Sequence, residues 1–236
     1  TALKIPEILY SMGTEKITFS GGEPMLCPHL GVLLEAAKKN GLTTMVVTNG
    51  TKISSSFLDS YAGSIDWIGI SIDSSSEIIE KRLGRGNGNH VEKAITAWEL
   101  ASEYGIRLKL NTVVTSLTWK ENMGSLIDRL KPKRWKVFQV LPVVDENDEW
   151  INWLKIDEGQ FEHFIEQHRK YSPITENNET MRGSYVMIDP IGCVFQNITG
   201  KLVFGDSILR VPLRKAIESV GWNYTNFLRR GGVYKW

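Results

Sequence analysis

The 236-residue chain is long enough to bury a full core, and 42% hydrophobic with 23% charged residues is a globular balance that excludes disordered, collagen-like and low-complexity scaffolds. Twenty-eight Lys and Arg against 27 Asp and Glu leave a net charge of +1, so direct nucleic-acid binding or a membrane-surface role is not expected. Two cysteines, Cys27 and Cys193, form no zinc or disulfide pattern, and no apolar run approaches the roughly 18 residues of a membrane span, so a cytoplasmic address is expected. The opening TALKIPEILYSMGTEK has no signal-peptide core and starts directly in amphipathic sequence, as the interior of a longer protein would.

Short β-branched runs then alternate with helix-like runs in units of about 30 residues, the rhythm of parallel βα units. A strand at 16–20 leads to a helix at 29–40 that Asn40-Gly41 closes. A strand at 43–47 turns at Asn49-Gly50 into a helix at 54–61, and a strand at 66–73 precedes a helix at 90–104 that stops at Gly105. The series continues with strands at 107–114 and 134–141 and helices at 119–130 and 158–171. Beyond residue 172 the rhythm breaks, so the expected division is an α/β body at 1–172 and a C-terminal extension at 173–236.

Strand side chains alternate faces. At 16–20, Ile17 and Phe19 share one face, leaving Lys16, Thr18 and Ser20 on the other; at 107–114, Leu108 and Leu110 oppose Arg107, Lys109 and Asn111. In the 134–141 strand, Arg134, Lys136 and Phe138 oppose Trp135 and Val137. Helices should cover the apolar face, so the polar face of a partly closed parallel barrel points inward. An interior carrying Lys16, Lys109, Arg134 and Lys136 costs several kcal/mol per cation unless an anion compensates it. A nucleoside triphosphate, with roughly four negative charges, meets such a cluster through charge-assisted hydrogen bonds. Strand-end lysines that reach solvent are the alternative.

Directly after the first strand comes Ser20-Gly21-Gly22-Glu23-Pro24. Glycines there admit a ligand close to the backbone, and a carboxylate is placed to take an ammonium group. A plain strand-to-helix turn with Pro at the helix start uses the same residues. The surrounding blocks narrow the choice: KITFSGGEP at 16–24, VVTNG at 46–50 and Ser71-Ile72-Asp73-Ser74. More specific are GRGNGNHVE at 84–92, KLN at 109–111, RWKVFQ at 134–139, an E-x-N-x-x-M-x-x-S-Y pattern from Glu176 to Tyr185, and FLRRGGVYKW at 227–236. With the first three blocks the chain resembles the radical S-adenosylmethionine (radical SAM) superfamily, and with the others its viperin-like enzymes.

The resemblance implies an α/β fold, a partial (β/α)6 TIM-like barrel that uses S-adenosylmethionine and a [4Fe–4S] cluster. It implies a lyase-type enzyme converting a nucleoside triphosphate, CTP or UTP in preference to GTP, to its 3′-deoxy-3′,4′-didehydro analogue. Such a nucleotide terminates RNA chains in antiviral or anti-phage defence. An electron donor such as flavodoxin or ferredoxin and a monomeric state are implied as well.

By the same resemblance, Ser20, Gly21, Gly22 and Glu23 lie at the methionine end of the cofactor, with Asn49 from VVTNG, and Ser71, Arg85 and Asn111 hold its ribose and carboxylate. Lys16, Lys109, Arg134, Lys136 and Arg230 match the triphosphate side, with Lys201 of ITGK a further candidate for the phosphates. Tyr185 matches a proton donor to the departing hydroxyl. Glu176 and Asn178 are candidates for reading a nucleobase edge, or for a turn and cap.

The implied C-x3-C-x2-C cluster loop is not in this sequence, and Cys27 and Cys193 cannot replace it because three thiolates must reach one cluster. The cluster cysteines, with the first barrel strand, are expected upstream of Thr1, so the chain alone is expected to be inactive. His163 and His168, five apart on one helix, read as surface histidines, and Trp119, Trp135, Trp150, Trp153 and Trp222 as buried ones. Two other functions stay open: a radical SAM enzyme for a different phosphorylated metabolite or a peptide, and a cluster-free nucleotide-binding module.

Overall fold

The computed structural model describes residues 2–234. Six strands, β1 (Lys16–Phe19), β2 (Thr43–Thr48), β3 (Trp67–Ser71), β4 (Arg107–Val114), β5 (Arg134–Gln139) and β6 (Ile174–Glu176), lie side by side in chain order. Every neighbouring pair is parallel. Parallel neighbours need crossovers, and right-handed crossovers taken always in one direction put the helices on one face, so the sheet curls into a half-barrel. The helices Leu30–Lys39, Ser55–Tyr61, His90–Glu103, Gly124–Leu130 and Glu158–Gln167 supply these crossovers. Local signals set their ends: the Ser54 hydroxyl accepts from Phe57 N at 3.3 Å, and Asp157 and Gln160 form a reciprocal capping box.

The alternation read from the sequence holds. Ile68, Ile70, Ile72, Leu108 and Leu110 are buried with Leu34, Ala94, Trp98 and Ala101 in one core outside the sheet. Several boundaries are shorter than expected, and at three of them a polar side chain is used elsewhere. At the two ends of β3, Asp66 leaves the ladder to bind Lys38 and Thr44, and Asp73 leaves it to bind Arg85 and Val113 N. The helix expected from 119 starts at Gly124, since Thr118 closes its own turn onto Thr115 N and Asn122 Oδ1 accepts from Gly124 N.

The main sheet draws β6 from beyond residue 172, a three-residue strand too short to show a period. The chain then forms an antiparallel sheet of β7 (Met187–Ile188), β8 (Cys193–Gln196) and β9 (Val203–Ser207), covered by the helix Leu213–Val220. Val194, Ile208, Leu213, Ala216 and Val220 share a second core with Leu9, Ala37 and Leu42, and Ile17 and Phe19 of β1 pack against it. The extension therefore leaves the half-barrel at β6 and seats itself beside β1.

Two side-chain expectations are corrected. His168 is fully buried, its Nε2 accepting from Met123 N at 2.9 Å and its Nδ1 donating to Phe164 O at 2.7 Å, whereas His163 is exposed. Trp135 is core, but Trp150, Trp153 and Trp222 are exposed, the first two packing edge-on against each other. Among the described residues no helix is long and apolar enough to cross a membrane.

Candidate active site

The loops after β1 to β4 form a rim. Ser20, Gly21 and Gly22 are exposed, and both glycines take positive φ, +91° and +45°. A Cβ built on either would meet nothing within 4 Å, so the lip borders open space. Glu23, the expected ammonium acceptor, is engaged by its own chain: it accepts from Met25 N at 3.0 Å, Thr48 Oγ1 at 2.6 Å and Asn49 N at 2.8 Å. It thus ties the lip to the end of β2.

Ser71, the last residue of β3, is the register partner of Asn111 within β4. Asn111 is 6% exposed, and its Oδ1 is buried without a hydrogen-bond partner. Arg85 donates from Nε to Asp73 Oδ2 at 2.5 Å, and no described residue takes its Nη groups. Burial works against its charge, but the Asp73 and Glu80 carboxylates outweigh burial and hold the guanidinium charged. An open lip, an orphaned carboxamide and a fixed arginine suit a ligand with an amino-acid head and polar ribose, as in S-adenosylmethionine. A metal cluster does not fit these residues: no group of three or more His, Cys, Asp or Glu able to hold a metal occurs among those described.

Deeper in the barrel the cations meet. Lys109 and Lys136, from neighbouring strands, are 8% and 5% exposed, and Arg230 arrives from the C-terminal segment at 8%. Glu176 at the end of β6 is fully buried, with Lys136 and Arg230 bound to its carboxylate. The Tyr185 hydroxyl donates to Glu176 Oε2 at 2.5 Å, receives Lys136 Nζ at 3.3 Å, and its ring lies 3.7 Å under the Arg230 guanidinium. At the strands' N-terminal ends Lys16 donates to the Tyr234 hydroxyl, and Arg134 stacks 3.6 Å over the Tyr234 ring and donates to Gly231 O. A cavity of about 580 Å³ opens there, lined by Trp67, Lys133, Arg134 and Tyr234 among others. No described residue pairs with the Lys109 ammonium.

The cations repel one another. Burial first, then Arg134 and Lys136, bring Lys16 down to about 7. Burial brings Lys136 to about 8 although Glu176 opposes the shift, and burial with Lys136 and Lys16 pushes Lys109 well down. Burial and Glu176 push the Tyr185 phenol well above its usual range.

The shifts give opposite pH slopes. A lysine whose folded pKa is depressed binds fewer protons folded than unfolded, so stability of the free protein rises with pH from about 7 towards 10.5. An anion that needs these ammonium groups charged binds more weakly over pH 7–9 and takes up protons as it binds. Thermal midpoints and triphosphate titrations in two buffers of different ionisation enthalpy are expected to show both trends; parallel slopes would overturn the reading.

The structure thus gathers Lys16, Lys109, Arg134, Lys136, Arg230, Glu176 and Tyr185 in one interior and Ser20 to Glu23, Asn49, Ser71, Arg85 and Asn111 on one rim. Lys201 stands apart, 59% exposed at its side chain and paired with Asp145 at 2.6 Å. Asn178 faces Gln139 through its backbone N, with its Oδ1 buried and unpartnered. Glu176 lies among the cations. Sequence reading passed over Glu80 and His90, which are buried, and Tyr234; the available signal for Glu80 was inverted, because on its short helix Ile78 is 74% exposed and Glu80 is fully buried.

Residues 2–131 match the model of the Radical SAM superfamily, and with the parallel half-barrel and glycine-lipped rim they define a radical SAM enzyme. The chain is 43% identical to the S-adenosylmethionine-dependent nucleotide dehydratase of Flammeovirga pacifica over 99% of its own length and 82% of that protein. It is 41% identical to the nucleotide dehydratase of Lacinutrix mariniflava over its whole length and half of that protein. The chain belongs to the viperin-like S-adenosylmethionine-dependent nucleotide dehydratases. It is therefore an enzyme of the dehydratase type, in a family that uses S-adenosylmethionine and a [4Fe–4S] cluster as cofactors, and the described residues include no set of ligands for the cluster. A solved structure, anSMEcpe with bound AdoMet, is similar in fold, with a TM-score of 0.70 at 17% identity over 92% of this chain and 71% of that one.

Proposed function

We propose that the cationic interior binds a nucleoside triphosphate, CTP or UTP in preference to GTP, and that the enzyme converts it to the 3′-deoxy-3′,4′-didehydro analogue, a chain terminator for antiviral or anti-phage defence. The observation that carries this is Lys109, 8% exposed with no described partner for its ammonium. A buried unpaired cation is stable only at the expense of its charge or with an anionic ligand.

Lys16, Lys109, Arg134, Lys136 and Arg230 hold the phosphates, and Ser20 to Glu23, Asn49, Ser71, Arg85 and Asn111 hold the cofactor at the rim. S-adenosylmethionine, held by these rim residues, would supply the radical chemistry that removes the ribose 4′-hydrogen, and the electron donor would supply one electron for that chemistry and one to close the C3′–C4′ double bond once the hydroxyl has left. Tyr185, kept protonated beside Glu176, gives its proton to the departing 3′-hydroxyl, which leaves as water. The flanking Lys136 and Arg230 stabilise the phenolate left behind. Asn178, with a free carboxamide oxygen, reads the base edge, and an electron donor such as flavodoxin or ferredoxin serves the enzyme in the cytoplasm.

The test is release of 5′-deoxyadenosine by the full-length gene product, reconstituted anaerobically, with CTP, UTP, GTP and ATP in parallel. Stimulation by CTP or UTP above the others is expected. Equal slow release with all four would reassign the interior to another anion.

A further inference from the structure

Three buried residues, Asp73, Glu80 and His90, are linked to the rim by hydrogen bonds. Glu80 is fully buried on the short helix Glu77–Arg82; its Oε1 accepts from Asp73 N at 2.8 Å and Ser74 N at 2.6 Å. Its Oε2 lies 2.5 Å from His90 Nδ1, and His90, 2% exposed, points Nε2 at Asn49 O at 3.1 Å. Both ring nitrogens therefore face oxygen atoms, and the ring bridges the Glu80 carboxylate and the Asn49 peptide. Asp73 completes the arrangement, taking Val113 N on one oxygen and Arg85 on the other.

The chain of contacts reaches the loops after β2 and β3 and the C-terminal end of β4. The Asn49 peptide is gripped on both sides, its N–H by Glu23 and its C=O by His90. Arg85 sits between two carboxylates, with Nε 2.5 Å from Asp73 and 4.0 Å from Glu80. What keeps it on Asp73 is the prior engagement of Glu80 by His90 and two backbone N–H groups. Without His90, Glu80 is a buried carboxylate short of a donor, and Arg85 is the nearest cation to fill the gap. The rim then loses two fixed points together: the Asn49 peptide and the direction of the arginine.

We propose that the buried Glu80–His90 pair is a positioning device for the S-adenosylmethionine rim, holding the Asn49 peptide and keeping Arg85 on Asp73. This rests on the assignment of the rim to the cofactor. Neither residue touches the cationic interior, so the pair acts on cofactor affinity and leaves the triphosphate alone.

The test uses the full-length, cluster-loaded protein and measures two dissociation constants by anaerobic equilibrium dialysis, one for S-adenosylmethionine and one for CTP. His90→Phe and Glu80→Gln are each expected to weaken S-adenosylmethionine by roughly 10–100-fold, the cost of one unsatisfied buried group, and CTP by less than about twofold. The paired variant His90→Leu with Glu80→Met, which leaves no lone charge, is expected to cost less than the sum of the two singles. If the variants bind S-adenosylmethionine as wild type does, or lose both ligands in parallel with their fold, the pair is structural and the proposal fails. Wild-type protein that binds S-adenosylmethionine but is insensitive to Arg85→Ala and Asn111→Ala would instead displace the rim assignment.

Discussion

Tyr185→Phe is expected to lower formation of the dehydrated nucleotide by about 10²–10⁴-fold, the usual worth of a placed proton donor. Release of 5′-deoxyadenosine and affinity for the triphosphate should stay within a few-fold of wild type. The split follows from the geometry: the hydroxyl is in contact with Glu176 and Lys136, while the ring remains available to Arg230 in the variant. Chromatography of products beside 5′-deoxyadenosine makes the comparison in one sample. A variant that binds triphosphate poorly would make Tyr185 a binding residue, and one that dehydrates normally would remove it from proton transfer.

Glu176→Gln carries the second large effect, in two directions. Glu176 is the carboxylate that Lys136 and Arg230 share inside the barrel, so its removal leaves buried cations uncompensated. Breaking a buried pair from one side costs about 3–5 kcal/mol, and the free variant should melt well below wild type. The same carboxylate competes with phosphate for those cations. Triphosphate should therefore bind the variant more tightly and restore more of its melting temperature than it adds to wild type. Calorimetric melts with and without CTP decide it; equal melting of the free proteins, or a smaller CTP shift in the variant, would show that Glu176 does not balance the interior charge.

The interior was legible because a strand has a period of two: once Leu108, Leu110, Trp135 and Val137 were assigned to the helices, Lys109, Asn111 and Lys136 had only one direction left. The rim was legible because glycines at a strand end announce open backbone. What escaped depends on partners distant in sequence. His90 is 41 residues from the Asn49 carbonyl it faces, and Glu80 reads as the exposed face of a helix until the Asp73–Ser74 turn is seen bending onto it. His168 likewise became a core residue through Met123, 45 residues away. Trp150 and Trp153 failed the ordinary rule for tryptophan because their seven-residue helix buries little more than Ile151. Lys201 was placed by its neighbourhood in the sequence, and a salt bridge to Asp145 puts it elsewhere.

The extension that leaves β6 and returns beside β1 has a consequence for synthesis. Lys16 is among the first residues translated in this stretch and Tyr234 among the last, yet they meet in one hydrogen bond, and Arg230 joins them in the same interior. At roughly 5–20 residues per second, the ribosome needs on the order of 3–12 s to pass from Glu176 to Tyr234. During that interval a nascent half-barrel carries its lysines without Arg230, its Glu176 without a second cation, and its strand ends uncovered. The proposed nucleotide site is thus complete only once Arg230 has been made, and an anion present during translation would find its full set of ligands only from then on.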